Sequence, residues 1–354
     1  MGNNLTAKIL NWFGNENVSM PWRNESDVYK IWLSEIMLQQ TKIETAIPYY
    51  KCWIKRFPTL FDVASATEDE VLKYWEGLGY YARVRNFRNA CKDVVKNYRG
   101  VIPNNKDFIR LKGVGDYIDA AVRSIAYKIP LPVIDGNVKR VISRILMLKK
   151  IPDKCINQIR AFLYMQISKS RPGDFNQGLM DLGRLICKPQ NPLCSKCPIS
   201  KNCLAFVNNS VNKYPIKKKK VKIPHYIFGA GLIWKNNELL ISKRNSDSML
   251  GGLWEFPGGK KDSSESIENC IKRKIKKKLN IAITIHKKLK SVKHSYSHFQ
   301  MTLYAYHCKY KGGSPKAIEC ANFKWISPEE INSLAFHKAN HKLFNQIPAK
   351  NPCI

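Results

Sequence analysis

Four cysteines, Cys187, Cys194, Cys197 and Cys203, fall within 17 residues in the pattern Cys-x6-Cys-x2-Cys-x5-Cys. Thiols spaced so closely converge only if the backbone wraps around something small, and a metal supplies that centre. Four thiolates suit an iron-sulfur cluster and zinc alike, so spacing leaves the metal open. A four-thiolate centre has no open position for chemistry, and its expected role is structural. The other seven cysteines are scattered singly; an odd total of eleven argues against a disulfide framework.

Two carboxylates stand in contrasting surroundings. Glu35 lies in Ile31-Trp32-Leu33-Ser34-Glu35-Ile36-Met37-Leu38, where helical spacing gives it Ile31, Trp32 and Leu38 as neighbours. Desolvation on such an apolar face raises a carboxyl pKa and suits it to act as a general acid. Asp135 follows Val133-Ile134 and precedes Gly136-Asn137 and a helix from Val138; a helix N-terminus favours the charged carboxylate. One acid and one anion form the pair that glycosidic cleavage needs, protonating the leaving group and stabilising oxocarbenium charge. Taken singly, Glu35 reads more readily as an exposed helix residue and Asp135 as a plain N-cap.

Leu111-Lys112-Gly113-Val114-Gly115 precedes a helical run from Tyr117 to Tyr127. Gly113 and Gly115 permit a tight turn that presents backbone N–H groups to a phosphate at the start of that helix. A Gly-x-Gly also serves many simple helix-helix turns.

The elements that must position these groups are mostly helical over 1–207. Apolar spacing predicts helices in Tyr29–Phe57, Glu68–Trp75, Ala82–Tyr98 and Val138–Leu148. Residues 208–224 hold two prolines, a lysine run and no acid, which predicts an extended, solvated linker. From 225 to 354 the texture changes to strands, expected at Tyr226–Trp234, Glu238–Ser242, Ala282–Ile285 and Met301–Tyr306, with a helix near Ser266–Leu279. The second part is therefore expected to be an α+β domain behind an all-α one. The formal charge of +33 is spread as about +14, +6 and +13 over the three segments, the sign that attracts a phosphate backbone. No apolar run is long enough to span a bilayer and no signal-peptide core opens the chain, so a cytoplasmic protein is expected, nucleoid-associated in a bacterium.

The glycine hairpin resembles that of a helix-hairpin-helix DNA-binding motif, and the cysteine cluster that follows it resembles the one closing the domain in the endonuclease III superfamily of DNA glycosylases. Glu35 in SEIMLQQT, Tyr80 in GLGYYARVRN, Tyr117 in LKGVGDY, Asp135 in VIDGNVKR and Gln177 in FNQGLMDLG together resemble the MutY family of adenine DNA glycosylases, over nearly the whole chain. That resemblance implies a helical barrel module and a cluster module holding a 4Fe-4S cluster. It also implies a monomer that binds double-stranded DNA and removes adenine mispaired with 8-oxoguanine or guanine. Adenine must leave the stack before it is attacked. Trp22, Arg23 and Gln177 match positions lining the family's adenine pocket, and Gln40 and Tyr80 match residues that fill and wedge the stack. Glu35 is then the acid acting at adenine N7 and Asp135 the stabiliser of the sugar cation, with Asn137 and Tyr117 orienting them. Bifunctional relatives carry a Schiff-base lysine at the position of Tyr117, so little strand-cleaving activity is expected. Lys112 departs from the family's usual proline, as Ile118-Asp119 depart from its small residues.

In the second domain Gly258-Gly259-Lys260 with Glu265 and Arg273 resembles a Nudix box. The magnesium-binding glutamates of active Nudix enzymes fall at Lys274, Lys277 and Lys278, and an ammonium cannot ligate the ion. Nucleotide hydrolysis is not expected. His294-Ser295-Tyr296-Ser297-His298 resembles the family's 8-oxoguanine-sensing loop, with Ser297 and His298 as donors.

Overall fold

Apolar residues at helical spacing build the first part of the chain. In order come α1 (Gly2–Asn15), α2 (Val28–Leu38), α3 (Ile43–Arg56), α4 (Leu60–Ser65), α5 (Glu68–Tyr74), α6 (Ala82–Tyr98), α7 (Asp116–Ala126), α8 (Gly136–Ile145), α9 (Ile156–Gln166), α10 (Pro172–Leu185) and α11 (Leu204–Val207). The computed structural model describes residues 2–16, 19–218, 223–296 and 298–353. It divides into one unit of residues 1–64 and 89–220 and another of 65–88 and 221–354.

In the first unit, Leu5 and Ile9 of α1, Val138 and Ile142 of α8, Leu163 of α9 and Phe175, Leu179 and Leu182 of α10 share one core. Helix α2 is buried on nearly every side, from Tyr29 through Met37, so its carboxylate Glu35 is buried with it. The Asp27 side chain caps α2 by accepting the Tyr29 N–H at 2.9 Å. The helical run expected over Tyr29–Phe57 is in fact two helices, α2 and α3, broken where Gln40 takes a φ of +56°. No glycine or proline marks that break, and uninterrupted apolar spacing conceals it. Helix α8 likewise stops at Ile145, before Met147 at φ +48°.

The linker expected to be extended and solvated is in part packed. Ser210 is buried, Val211–Lys213 form a 3-10 turn, and the Tyr214 carbonyl accepts from the buried Arg144 at 3.0 Å. The Arg144 contact uses the Tyr214 backbone carbonyl, which the composition of a lysine-rich segment does not reveal. Lys219, Lys220 and Lys222 lie outside the described residues.

The second unit is α+β. Its strands are β1 (His225–Lys235), β2 (Glu238–Lys243), β3 (Trp254–Glu255), β4 (Gly258–Lys260), β5 (Ala282–Lys288), β6 (Val292–Ser295), β7 (Gln300–Gly312) and β8 (Asn322–Ile326), with helices α12 (Ile267–Leu279) and α13 (Lys338–His341). The mixed sheet runs β3-β2-β1-β7-β5; β4, β6 and β8 pair with β1, β7 and β2 respectively, and β1 and β7 are parallel. Alternation along β1 sends Leu232 and Trp234 to one core and Ile233 to the other, beneath α12. Gly229 and Gly231 face α12, where an added Cβ would come within 2.7 Å of Ile271 and 2.8 Å of Ile275. Among the described residues no helix is long and apolar enough to cross a membrane.

Candidate active site

Burial of α2 fixes the character of Glu35. It is 5% exposed and accepts a 2.5 Å hydrogen bond from the Tyr117 hydroxyl at the start of α7. Burial pushes the Glu35 carboxyl up to about 7, against the lowering effects of Tyr117 and Arg23. The same burial, with the Glu35 charge beside it, raises the Tyr117 hydroxyl well above the ordinary tyrosine range. A carboxyl so raised is still protonated in a large share of molecules near neutral pH and can serve as a proton donor.

Asp135 caps α8. One oxygen accepts the Val138 N–H at 2.7 Å, and the other accepts the Asn137 amide at 2.9 Å. Burial raises the Asp135 carboxyl above its ordinary value despite these bonds. The helix N-terminus favours the Asp135 charge, but desolvation, which the sequence does not display, opposes it and prevails.

Glu35, Tyr117, Asp135, Asn137, Trp22, Arg23 and Gln177 line a single cavity of about 520 Å³ in the first unit. Arg23 donates to Gln177 and, at 2.6 Å, to Asp181. Trp22 is buried with its ring edge-on to Tyr50. Gln40 does not line this cavity; it is exposed just beyond α2. Gly113 takes the left-handed φ of +85° that the turn before α7 demands, whereas Gly115, at φ −105°, is the residue before the helix.

Several residues in this site escaped the sequence reading. Asp181 anchors Arg23, and Arg140 bridges Asn137 Oδ1 at 2.9 Å to the Cys187 carbonyl at 2.8 Å. Gly183 lets α10 approach Asn137, since a Cβ there would stand 2.7 Å from the Asn137 Cβ. Each lies inside VIDGNVKR or FNQGLMDLG, but as an ordinary polar or small residue whose type does not reveal its contact.

The four cysteines of the 187–203 segment are free thiols on a run of short turns. Burial raises the Cys194 and Cys203 thiols and pushes Cys197 up to about 12, and the neighbouring thiols add to each effect. Arg144 donates to the Cys187 sulfur at 3.1 Å. Among the described residues no group of three or more His, Cys, Asp or Glu side chains is arranged to hold a metal ion. The donor set still fits one chemically: four thiols close together in sequence, three of them held up by burial and by neighbouring thiols, need a cation to become thiolates together.

In the second unit Tyr80, with a φ of +49° and 44% exposed, lines a separate cavity of about 520 Å³ with His294, Tyr296 and His298. Ser297 lies outside the described residues. Lys278 forms a 2.5 Å ion pair with the buried Glu255, which Arg244 also meets at 2.5 Å. Burial opposes the Glu255 charge, but these two cations outweigh it and push the carboxyl down to about 2. Lys277 pairs with Glu319, and the Lys274 stem packs over Gly259.

Residues 33–162 match the model of the HhH-GPD superfamily of base excision DNA repair proteins, and residues 229–346 match the NUDIX domain. An adenine DNA glycosylase of Buchnera aphidicola (Schizaphis graminum) is 36% identical over 83% of this chain and 84% of its own length. The human adenine DNA glycosylase is 29% identical over 98% of this chain and 74% of its own. A thermostable thymine-DNA glycosylase structure superposes with a TM-score of 0.53 at 27% identity, covering 58% of this chain and 95% of its own. The chain thus has a helical glycosylase fold followed by a Nudix-like α+β domain, and it belongs to the adenine DNA glycosylase family of base excision repair enzymes.

Proposed function

We propose that this enzyme hydrolyses the N-glycosidic bond of adenine mispaired with 8-oxoguanine or guanine in double-stranded DNA, acting as a monomer. The observation that carries this reading is the buried Glu35, hydrogen-bonded to Tyr117 in the same cavity as Asp135, with its carboxyl pushed up by burial. Adenine swings out of the duplex into that cavity, against Trp22, Arg23 and Gln177. The Glu35 carboxyl gives its proton to adenine N7. The C1′–N9 bond then breaks with both electrons leaving on the base, and the Asp135 carboxylate stabilises the positive sugar. Water attacks C1′, and its proton returns to Glu35. Asn137 holds the Asp135 carboxylate and Tyr117 the Glu35 carboxyl. With a tyrosine at position 117 the site has no amine there for a Schiff base, which favours a glycosylase without strand cleavage.

Gly113 and Gly115 present backbone N–H groups to a DNA phosphate, and Gln40 and Tyr80 occupy the stack around the vacated base. Ser297 and His298 read 8-oxoguanine. Cys187, Cys194, Cys197 and Cys203 hold a 4Fe-4S cluster that organises the adjoining surface; a brown protein absorbing near ~400 nm supports it and a colourless protein with stoichiometric zinc overturns it. A DNA substrate fits a cytoplasmic location, nucleoid-associated in a bacterium. Duplexes carrying A opposite 8-oxoguanine or guanine, incubated with the protein and heated in alkali, should break at the adenine. Intact strands from both duplexes would remove the proposal.

A further inference from the structure

Arg184 closes the last turn of α10 at the rim of the Glu35 cavity. Its Nε and Nη2 reach Asp181 Oδ1 at 3.4 and 3.2 Å, while the other Asp181 oxygen accepts from Arg23. Asp181 is buried and Arg184 is 30% exposed, so the carboxylate fixes one edge of the guanidinium and leaves the other towards solvent. Among the described residues Arg184 Nη1 has no hydrogen-bonding partner. The trio of Arg23, Asp181 and Arg184 carries one surplus positive charge, which falls at the rim because Arg23 is committed to Gln177 and Asp181.

An adenosine extruded into the cavity brings its sugar with it, and the flanking phosphates must then stand at the mouth. A guanidinium already oriented by a carboxylate loses little freedom on binding a phosphate and presents two parallel donors. The exposed Lys42 and Lys188 line the same cavity but have no such anchor. We propose that Arg184 is a substrate-positioning residue that grips a backbone phosphate next to the extruded adenosine, held in place by Asp181. This rests on the adenine glycosylase reading above.

The test is a binding cycle with the full chain. The duplex carries uncleavable 2′-fluoro-2′-deoxyadenosine opposite guanine, with either flanking phosphate replaced in turn by a neutral methylphosphonate. At one of the two positions the replacement should weaken wild-type binding about tenfold, yet weaken Arg184→Ala less than about twofold, and the variant's salt slope should fall by about 1. Arg184→Lys should recover part of the affinity. Equal losses in both proteins at both positions, or no loss in wild type, would overturn the assignment; the wild-type arm needs no variant to fold. The same duplex with ordinary deoxyadenosine, heated in alkali, reads the glycosylase activity separately, so failure of the phosphate contact and failure of the adenine reading give different results.

Discussion

The Tyr117 hydroxyl donates to Glu35 Oε2 over 2.5 Å inside a cavity that also contains Asp135. That bond lowers the Glu35 carboxyl while burial raises it, and burial wins. Tyr117→Phe removes only the lowering contribution, so the Glu35 pKa should rise. The high-pH limb of the adenine-release profile should therefore move to higher pH, with the rate at pH 7 reduced about tenfold through lost positioning. A limb that stays in place or moves down would contradict the bond's role.

Glu35 also ties stability to pH. Its folded-state pKa is raised from 4.5 to about 7, so the native state binds the proton more tightly than the unfolded chain. Stability should accordingly fall as pH rises from about 4.5 to about 7, by at most about 3 kcal/mol. Glu35→Gln should abolish that fall and be the more stable protein at pH 8. Chemical denaturation of both at pH 5 and pH 8 checks this.

The contact between α10 and Asn137 depends on Gly183. Gly183→Ala puts a methyl 2.7 Å from the Asn137 Cβ, which should cost about 1–3 kcal/mol and displace the Asn137 amide from Asp135. Thermal unfolding reads the first effect and single-turnover adenine release the second; a fully active, fully stable variant would show that the contact gives way freely.

Helix α6 could be read from sequence over its full extent, Ala82–Tyr98, because its apolar positions keep helical spacing between a glycine-tyrosine turn and Gly100. Strands β1 and β2 were legible almost end to end, whereas β7 was legible only over Met301–Tyr306 and β5 over Ala282–Ile285, each continuing past the apolar stretch. The short strands β3, β4, β6 and β8 were not, since two to five residues carry no measurable period and their pairing is set by distant partners such as Ser242 opposite Glu255. In the site, Glu35 and Asp135 drew attention through their apolar and helix-start surroundings. Asp181, Arg140 and Gly183 each make a contact 40 or more positions away in sequence, to Arg23, Cys187 and Asn137 respectively, which no local pattern announces.

In the second unit the Lys278 ammonium neutralises Glu255 from within the fold. Lys278→Met should destabilise the protein by about 3 kcal/mol at pH 7, because it strips one of two close cations from a buried carboxylate. The Glu255 pKa is depressed from 4.5 to about 2, so its contribution is present above about 4.5 and is lost as pH falls towards 2. The gap between wild type and variant should shrink across that window in urea titrations. A constant gap would mean that the lysine stabilises by packing alone.

The central claim is that Glu35 protonates the departing adenine, and single-turnover adenine release from an A:8-oxoguanine duplex between pH 5 and 9 tests it most directly. Wild-type rates should fall above a midpoint near 7, the value burial gives the carboxyl, and Glu35→Gln should be slower by about a thousandfold with no such midpoint. A Glu35→Gln protein that releases adenine at the wild-type rate would contradict the account.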